Sequence, residues 1–193
     1  SDRDHKSVLI LVNHDVVIYN FRLELVQRLL SDGYEVHISS PVGEHTRELV
    51  NLGAHFHEII IDRHGTNPIA DLRILNEYKR LIRSIKPIIV LTYTVKCNVY
   101  GGIAAKIERV PFLANITGLG TMVNGGGVKG WFVLALYKIG LKGAQKVFFQ
   151  NEENKEFMVK HGVVSAPCFV LPGSGVNLNK HCFEPYPEEK EKL

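Results

Sequence analysis

The chain has 193 residues, of which 45% are hydrophobic and 22% are charged, with a formal net charge of +3. A domain of this length buries roughly 70% of the surface that its unfolded chain exposes, so it needs no disulfide or metal to fold. The weak positive charge, without an arginine-rich, zinc-finger or RRM pattern, argues against nucleic-acid binding.

The cysteines and the hydropathy pattern bear on location. Cys97, Cys168 and Cys182 are odd in number and form no CxxC pair, which favours a reducing cytoplasm. The N-terminal SDRDHK is polar, and no apolar run reaches the ~18 residues of a membrane span. We therefore expect a cytoplasmic protein whose membrane contact, if it has one, is peripheral on the inner face.

Strand and helix patterns alternate along the chain. Strands are predicted at 7–12, 35–40, 55–61, 87–94, 110–117, 146–150 and 168–171, and helices at 21–33, 44–52, 68–86, 96–109, 128–141 and 151–161. The first strand, SVLILV, is continuously aliphatic, as expected for a strand covered on both faces. The alternation predicts an α/β fold with a doubly wound, mostly parallel, Rossmann-like sheet of about seven strands and right-handed crossovers.

The loop after the first strand excludes two common ligand classes. It reads VNHDVVIYNFR and contains no glycine, so it lacks the GxGxxG fingerprint, and no GxxxxGK[ST] occurs elsewhere. A dinucleotide oxidoreductase and a P-loop NTPase are both disfavoured. In a doubly wound sheet the ligand is still expected beyond the carboxyl ends of the strands, where the winding direction reverses.

The predicted helix starts differ in charge. Three helices open without an acid, at Asn20 with Arg22, at Lys96 and at Lys129, and a 3-2-1-4-5 strand order makes them neighbours. The others open with acids: Glu44, Asp71, and Glu152 with Glu153. Because helix N-termini attract anions, the pattern predicts one anion-receptive cleft. The alternative is that these cations are merely solvated.

Several sequence blocks, taken in order from about residue 7 to 183, resemble one family. They are YNFRLELVQRLLSDGYEV, the stretch from RHGTNP through GGIAAK, ITGLG, VFFQNEENKEFMVKHGV and LPGSGVNL. Together they resemble the N-terminal, acceptor-side domain of family-four, retaining glycosyltransferases with the GT-B architecture. The bacterial branch that builds surface polysaccharides and lipid-linked oligosaccharides is the most similar.

This resemblance implies a domain organisation and an activity. Residues 1–175 would form the acceptor-side domain, and 176–193 a linker toward a C-terminal donor-binding domain, with the hinge at Gly173, Ser174 and Gly175. The intact enzyme would transfer a hexosyl group from a nucleotide-sugar to a lipid-linked or polysaccharide acceptor, with no cofactor and no metal. The fragment alone would be inactive.

The resemblance also selects candidate catalytic residues. Many relatives place a histidine after the fourth strand, near the transferred sugar, whereas this chain has TYTVKCN there. Tyr93, Thr94 and Lys96 occupy the region and are the catalytic candidates. Lys96 would either take part electrostatically in catalysis or bind an acceptor phosphate. The alternative is that Lys96 only complements a helix start.

Loop residues complete the predicted site. The anion- and acceptor-binding candidates, besides Asn20, Arg22 and Lys129, are Asn13, His14, Arg63, Asn67, Thr117, Gly118 and Gly120. The glycines of NITGLG would allow close approach of a sugar, or would simply serve a turn that needs positive φ. The polar loop after the third strand could equally be an ordinary connection.

Two further patterns carry weaker hypotheses. His55 and His57 alternate on one strand with His64 nearby, but without a clearly placed third ligand no metal is expected. Arg73, Arg80 and Arg83 share one face of the helix at 68–86, which could dock on anionic headgroups or simply be solvated.

Two other functions stay open. A UDP-sugar 2-epimerase would keep the GT-B fold but should show several cleft carboxylates and histidines, and these cleft loops are poor in acids. A non-catalytic nucleotide- or sugar-binding module would be complete at this length, with its last residues folded back onto the domain.

Overall fold

The computed structural model describes residues 6–62, 67–119 and 127–171. The strands in these ranges are β1 (Ser7–Leu11), β2 (Glu35–Ser40), β3 (His55–Glu58), β4 (Ile89–Tyr93), β5 (Phe112–Ile116), β6 (Lys146–Phe149) and β7 (Cys168–Val170). The α-helices are α1 (Asp15–Phe21), α2 (Leu23–Ser31), α3 (Thr46–Asn51), α4 (Pro68–Ile85), α5 (Gly102–Ile107), α6 (Gly127–Gly140) and α7 (Glu152–Lys160).

The strands form one parallel sheet in the order β3-β2-β1-β4-β5-β6-β7. This confirms the predicted doubly wound α/β fold and places the switch point between β1 and β4. All five residues of β1 are buried, because this central strand pairs with β2 on one side and β4 on the other. Its continuous aliphatic run is the sequence signature of that position.

Helices cover both faces of the sheet. Val8 and Ile10 of β1 point into a core shared with α1 and α2, whereas Leu9 and Leu11 point into the larger core formed with α4, α5 and α6. The alternation follows from the period of two in a strand. Each crossover helix thus sits on one face of the sheet, and the loops at the strands' carboxyl ends meet at one edge.

The first helix begins earlier than predicted. In place of one helix at 21–33, α1 starts at Asp15 and ends at Phe21, and α2 follows after a break at Arg22 (φ −138°, ψ 13°). The His14 side chain caps α1 by accepting the Val16 N–H at 3.2 Å. Asn20 therefore lies in the last turn of α1, so the prediction that it opens a helix is wrong.

The helix after β4 contains an unpredicted π-helical turn. Cys97–Gly101 is π-helical and runs directly into α5. Here the glycine pair is needed for packing: a Cβ on Gly101 would lie 2.6 Å from Leu11 Cδ1, and one on Gly102 would overlap the Gly140 carbonyl oxygen. Such turns are often found at functional sites.

Candidate active site

Two adjacent cavities lie at the carboxyl ends of the central strands. The first, of about 140 Å³, is lined by residues that include Asn13, Thr94, Lys96, Thr117, Gly118 and Tyr137. The second, of about 220 Å³, is lined by residues that include Val17, Phe21, Arg22, Tyr93, Thr94 and Thr117. Thr94 and Thr117 border both. The loops after β1, β4 and β5 therefore meet where a doubly wound sheet is expected to bind its ligand.

Thr94, the first residue after β4, has a strained backbone. Its φ is +70°, in the left-handed region that β-branched residues rarely adopt. Its hydroxyl is buried, and apart from the weakly bonding Cys97 thiol it has no hydrogen-bond partner among the described residues. Strain of this kind costs about 1–3 kcal/mol and clusters at functional sites.

A buried amide network holds the ends of β4 and β5 together beneath Thr94. The Thr92 hydroxyl donates to Asn98 Oδ1 at 2.7 Å, and Asn98 Nδ2 donates to the Asn115 carbonyl at 3.0 Å. Asn115 Nδ2 returns to the Thr92 carbonyl at 3.4 Å. Because Asn98 belongs to the π-helical turn, the network ties that turn to both strands and fixes the strained corner between them.

Lys96 forms an ion pair at the wall of the first cavity. Its Nζ lies 2.8 Å from Asp71 Oδ1, and both side chains are about 15% exposed (15% and 14%). The Tyr100 hydroxyl donates to the other Asp71 oxygen at 2.8 Å, and burial together with this bond raises the pKa of Tyr100. Asp71, which the sequence suggested would repel anions at another helix start, in fact balances the charge of Lys96.

Arg22 stands over Tyr93 in the second cavity. The guanidinium lies 5.3 Å from the ring centroid, within the range of a cation–π contact, and one of its nitrogens donates to the Phe21 carbonyl. Burial raises the pKa of Tyr93, and Arg22 opposes that shift. With Val17 and Phe21, these residues give the second cavity an apolar wall beside one cation.

The loop after β1 is held in place by hydrogen bonds to residues at the start of α3. Asp15 is fully buried and accepts the His45 N–H at 2.8 Å and the Thr46 hydroxyl at 3.1 Å. The prediction that the first helix opens without an acid is wrong, because Asp15 is in its first turn. His14 serves as the cap, with Nδ1 also 2.9 Å from Asp15 Oδ1. The three-helix anion pattern therefore does not hold at α1.

Loops gathered around a central switch point are also a feature that can be compared with known protein families. The sequence profile described as "Glycosyl transferase 4-like" matches residues 7–151. The chain belongs to this glycosyl transferase 4-like family. No curated protein matches its sequence.

Solved structures similar to this glycosyl transferase 4-like domain share its fold at low sequence identity. A glycosyltransferase from Rickettsia africae is 18% identical with a TM-score of 0.66, over 91% of this chain and 45% of that chain. Anabaena Alr3699/HepE, in complex with UDP and glucose, is 14% identical with a TM-score of 0.63, over 91% and 46%. The UDP-GlcNAc 2-epimerase from Methanocaldococcus jannaschii is 14% identical with a TM-score of 0.57, over 86% and 45%.

This chain spans about half the length of these structures. Its sheet and flanking helices correspond to the N-terminal halves of GT-B glycosyltransferases. The glycosyl transferase 4-like domain therefore has the fold that the sequence resemblance implied.

Of the remaining predicted residues of the glycosyl transferase 4-like domain, Asn67 and Gly118 lie in the described part of the chain, and the others, or their side chains, lie outside it. Asn67 caps α4 by accepting the Ile69 N–H at 3.0 Å, which gives it a structural role. Gly118 has no positive φ, and a Cβ there would meet nothing within 4 Å, so neither turn geometry nor packing requires its glycine. Arg63, Gly120, Gly173, Ser174, Gly175 and the Lys129 side chain lie outside the described residues.

A third histidine joins the pair on β3. His37 on β2 lies 2.9 Å from His57 Nε2 through its Nδ1, and its ring stacks on His55 at 4.7 Å. The parallel pairing of β2 with β3 places His37 directly beside His55, and this brings the three histidines together. Among residues 6–62, 67–119 and 127–171, no group of three or more potential ligands is arranged to hold a metal.

Proposed function

We propose that this chain is the acceptor-side half of a retaining glycosyltransferase, which moves a hexosyl group from a nucleotide-sugar to a lipid-linked or polysaccharide acceptor. A donor-binding half would follow in the intact enzyme. Family membership supports this assignment, and so does the structural similarity to about half the length of a solved glycosyltransferase. In this proposal the two adjacent cavities together form the acceptor side of the reaction centre.

The observation that carries the proposal is the strained Thr94 corner between the two cavities. The fold holds a β-branched residue at φ +70°, and among the described residues its buried hydroxyl has no partner stronger than the Cys97 thiol, at the strand end where a ligand is expected. Each cavity is smaller than the roughly 300–1,000 Å³ of a typical ligand pocket. An opposing domain would complete such a groove.

The ion pair suggests how acceptor and donor are handled. Because Asp71 balances Lys96, the first cavity offers a neutral but strongly polar wall, suited to sugar hydroxyls rather than to a free phosphate. Thr94 would then donate to, or accept from, a hydroxyl of the acceptor. Arg22, beside the apolar wall of the second cavity, would face an anionic group linked to an apolar one.

The direct test is transfer by the intact protein that contains this chain. Purified enzyme would be offered a panel of UDP- and GDP-sugars with a polyprenyl-diphosphate-linked glycan acceptor, and the anomeric configuration of the product read by NMR. Transfer with retained configuration, lost in a Thr94→Gly variant that still folds, is the expected outcome. An Asn67→Ser variant, which keeps a helix-capping side chain, is the matched control and should retain activity.

A UDP-sugar 2-epimerase is the second candidate, since one such enzyme has the same fold over 86% of this chain. It would convert the free nucleotide-sugar without any acceptor. An epimerase should show several carboxylates in its cleft. Here the Asp71 carboxylate, beside the first cavity, is already bound by Lys96 and Tyr100. If the intact protein isomerises a nucleotide-sugar and transfers none, the transferase proposal fails and the epimerase replaces it.

A further inference from the structure

A third cavity lies at the β3 edge of the sheet, away from the two cavities beside Thr94. Its volume is about 410 Å³, within the roughly 300–1,000 Å³ of a typical ligand pocket. Two strands separate β3 from β4, so the two lie about 14 Å apart across the sheet. We call this cavity the edge groove. It lies between the strand residues 58–60 and 62 on one side and Ala70, Arg73, Ile74 and Glu77 of α4 on the other.

The two walls of the edge groove have similar lengths. The four α4 residues follow the i, i+3, i+4, i+7 pattern, so they lie on one face of the helix and span two turns, or about 10 Å. The strand wall, from residue 58 to residue 62, spans about 13 Å when extended. The groove therefore has room for about three residues of an extended chain laid along the strand edge.

The backbone of the strand wall presents hydrogen-bonding groups to the groove. The Ile59 N–H donates to the Ser40 carbonyl at 3.2 Å, so the backbone of Ile59 faces β2. Because alternate residues of an edge strand turn their backbone groups to opposite sides, those of Glu58 and Ile60 face away from β2. In the ranges that the structure describes, neither residue makes a backbone hydrogen bond on that side. Such an edge is a template for pairing with another extended chain.

The side chains of the strand wall alternate in burial. Ile59 is 7% exposed and packs in the same core as Ile74, whereas Ile60 is 84% exposed. Glu58 is also exposed, and it lies on the same side of the strand as Ile60, two residues away. A strand added at this edge would place every second side chain over the apolar floor of Ile59 and Ile74. Its other side chains would lie beside Glu58 and Ile60.

The charge of the edge groove is negative. Among its lining residues, Glu58, Asp62 and Glu77 carry carboxylates and Arg73 carries a guanidinium. Arg80 lies 3.6 Å from Glu77, but this pair is largely exposed and therefore weak. A chain that alternates apolar and basic side chains is complementary to the groove in both shape and charge.

We propose that the edge groove binds an extended, basic segment of a partner protein, which adds a strand to the sheet beside β3. The main chain of this segment exchanges hydrogen bonds with Glu58 and Ile60. Its apolar side chains cover Ile59 and Ile74, and its basic side chains pair with Glu58 while their aliphatic stems cover Ile60. This docking surface is separate from the proposed reaction centre and gives the domain a second role.

The same carboxylates disfavour two other occupants. A second copy of this chain, paired edge to edge, would bring the acids of one groove close to those of the other, because a two-fold contact joins identical surfaces. An anionic lipid surface would be repelled as well. No helix in the described part of the chain is long and apolar enough to cross a membrane. The sequence-based expectation that Arg73, Arg80 and Arg83 of α4 contact headgroups stays a prediction.

A synthetic peptide tests the docking directly. The probe is a fluorescein-labelled peptide of about seven alternating lysines and valines with blocked ends, titrated into the protein and followed by fluorescence anisotropy. We expect saturable binding below about 1 mM. A peptide with glutamate in place of lysine should not bind, and high salt should weaken binding of the lysine peptide.

Methylation of the peptide backbone tests the strand geometry. N-methyl groups on the valines remove the donors on one side of an extended chain, and N-methyl groups on the lysines remove those on the other side. A peptide that pairs with β3 along one side only should lose binding in one of these forms and keep most of it in the other.

Variants of the protein separate main-chain pairing from charge. Ile60→Pro removes an N–H that faces away from β2, where an edge strand tolerates proline, and should weaken binding by about fivefold. Ile60→Thr keeps that N–H and is the matched control. Glu58→Lys should weaken binding of the lysine peptide by about tenfold and allow the glutamate peptide to bind. Glu153→Gln, at an exposed acid of α7, should change neither affinity.

Four results would overturn the proposal. One is the absence of binding of the lysine peptide up to about 1 mM. Another is equal binding of the two N-methylated peptides, and a third is unchanged binding in Ile60→Pro. The fourth is a dimer, seen by sedimentation equilibrium without peptide, that Ile60→Pro dissociates, since the edge would then be occupied by a second copy. None of these measurements uses sugar transfer, so they are independent of the proposed reaction.

Discussion

The ends of β1 and β4 are neighbours at the switch point, yet they are built differently. After β1, the side chain of His14 caps α1, and Asp15 accepts the N–H of His45 and the hydroxyl of Thr46, the first residue of α3. After β4, Thr94 is strained, its hydroxyl lacks a strong partner in the part of the chain that the structure describes, and an ion pair borders a cavity. The first corner has the features of a structural joint, and the second those of a site whose local cost is offset by the rest of the fold.

The largest expected effect comes from removing one member of the ion pair after β4. Lys96→Met leaves the mostly buried Asp71 with the Tyr100 hydroxyl as its one remaining partner among the described residues, which should lower the free energy of unfolding by about 3 kcal/mol. Urea unfolding at neutral pH measures this change. Adding Asp71→Asn should recover a large part of it, since the uncompensated carboxylate is then gone.

A matched control for that experiment is Lys155→Met in α7, where the pair with Glu152 lies at the surface and should leave the unfolding midpoint nearly unchanged. If Lys96→Met and Lys155→Met behave alike, the pair after β4 does not stabilise the domain. Its place at the cavity wall would then have to be explained by ligand binding alone.

The corner after β1 should respond to loss of its buried acceptor. Asp15→Ala removes the acceptor of the His45 N–H and of the Thr46 O–H, so we expect a loss of about 2 kcal/mol in the free energy of unfolding. Asp32→Ala, which breaks an exposed pair with Arg28, is the surface control. A loss of transfer activity beyond what the lowered stability explains would contradict a purely structural role for this corner.

Thr94→Gly should act in the opposite direction on stability. Glycine adopts φ +70° without the steric cost that threonine has, so relief of strain should raise the free energy of unfolding by about 1 kcal/mol. Thermal unfolding measures this gain, and transfer by the intact protein should fall at the same time. A variant that is both less stable and fully active would remove Thr94 from the proposed site.

The contrast between the two corners also explains what the sequence could predict. The α/β class follows from the alternation of strand and helix patterns, the central position of β1 from its continuous aliphatic run, and the start of α4 from the Asn67-Pro68 pair, a regular cap with proline in the first turn. These signals are local. The predicted gathering of Asn13, Thr94, Lys96, Thr117 and Gly118 needs only the rule that parallel strands end at the same edge.

What the sequence missed depends on distant or atypical contacts. Helix α1 was overlooked because VVI is a β-branched run and histidine is not among the usual capping residues. The partner of Lys96, Asp71, is 25 residues away on another helix, so the position of each along its own element suggested opposite roles. The strain at Thr94 is set by the surrounding network and not by a residue type that prefers positive φ.

The smallest predicted effect concerns pH and comes from the β2–β3 edge, away from both corners. Burial lowers the pKa of His37 and of His57, and neighbouring histidine charges add to the shift. Since the pKa in the folded state lies below the ordinary value of about 6.5, the unfolded chain binds protons first as the pH falls. Stability is therefore fully present above pH ~6.5 and declines as the pH drops through and below that value.

His37→Gln isolates this contribution from the two corners. We expect the variant to show a flatter dependence of unfolding free energy on pH between neutral and mildly acidic conditions, because the 2.9 Å contact between His37 Nδ1 and His57 Nε2 cannot persist with both rings protonated. Urea unfolding at several pH values measures the slope. An unchanged slope would show that the contact between His37 and His57 does not set the acid sensitivity of the fold.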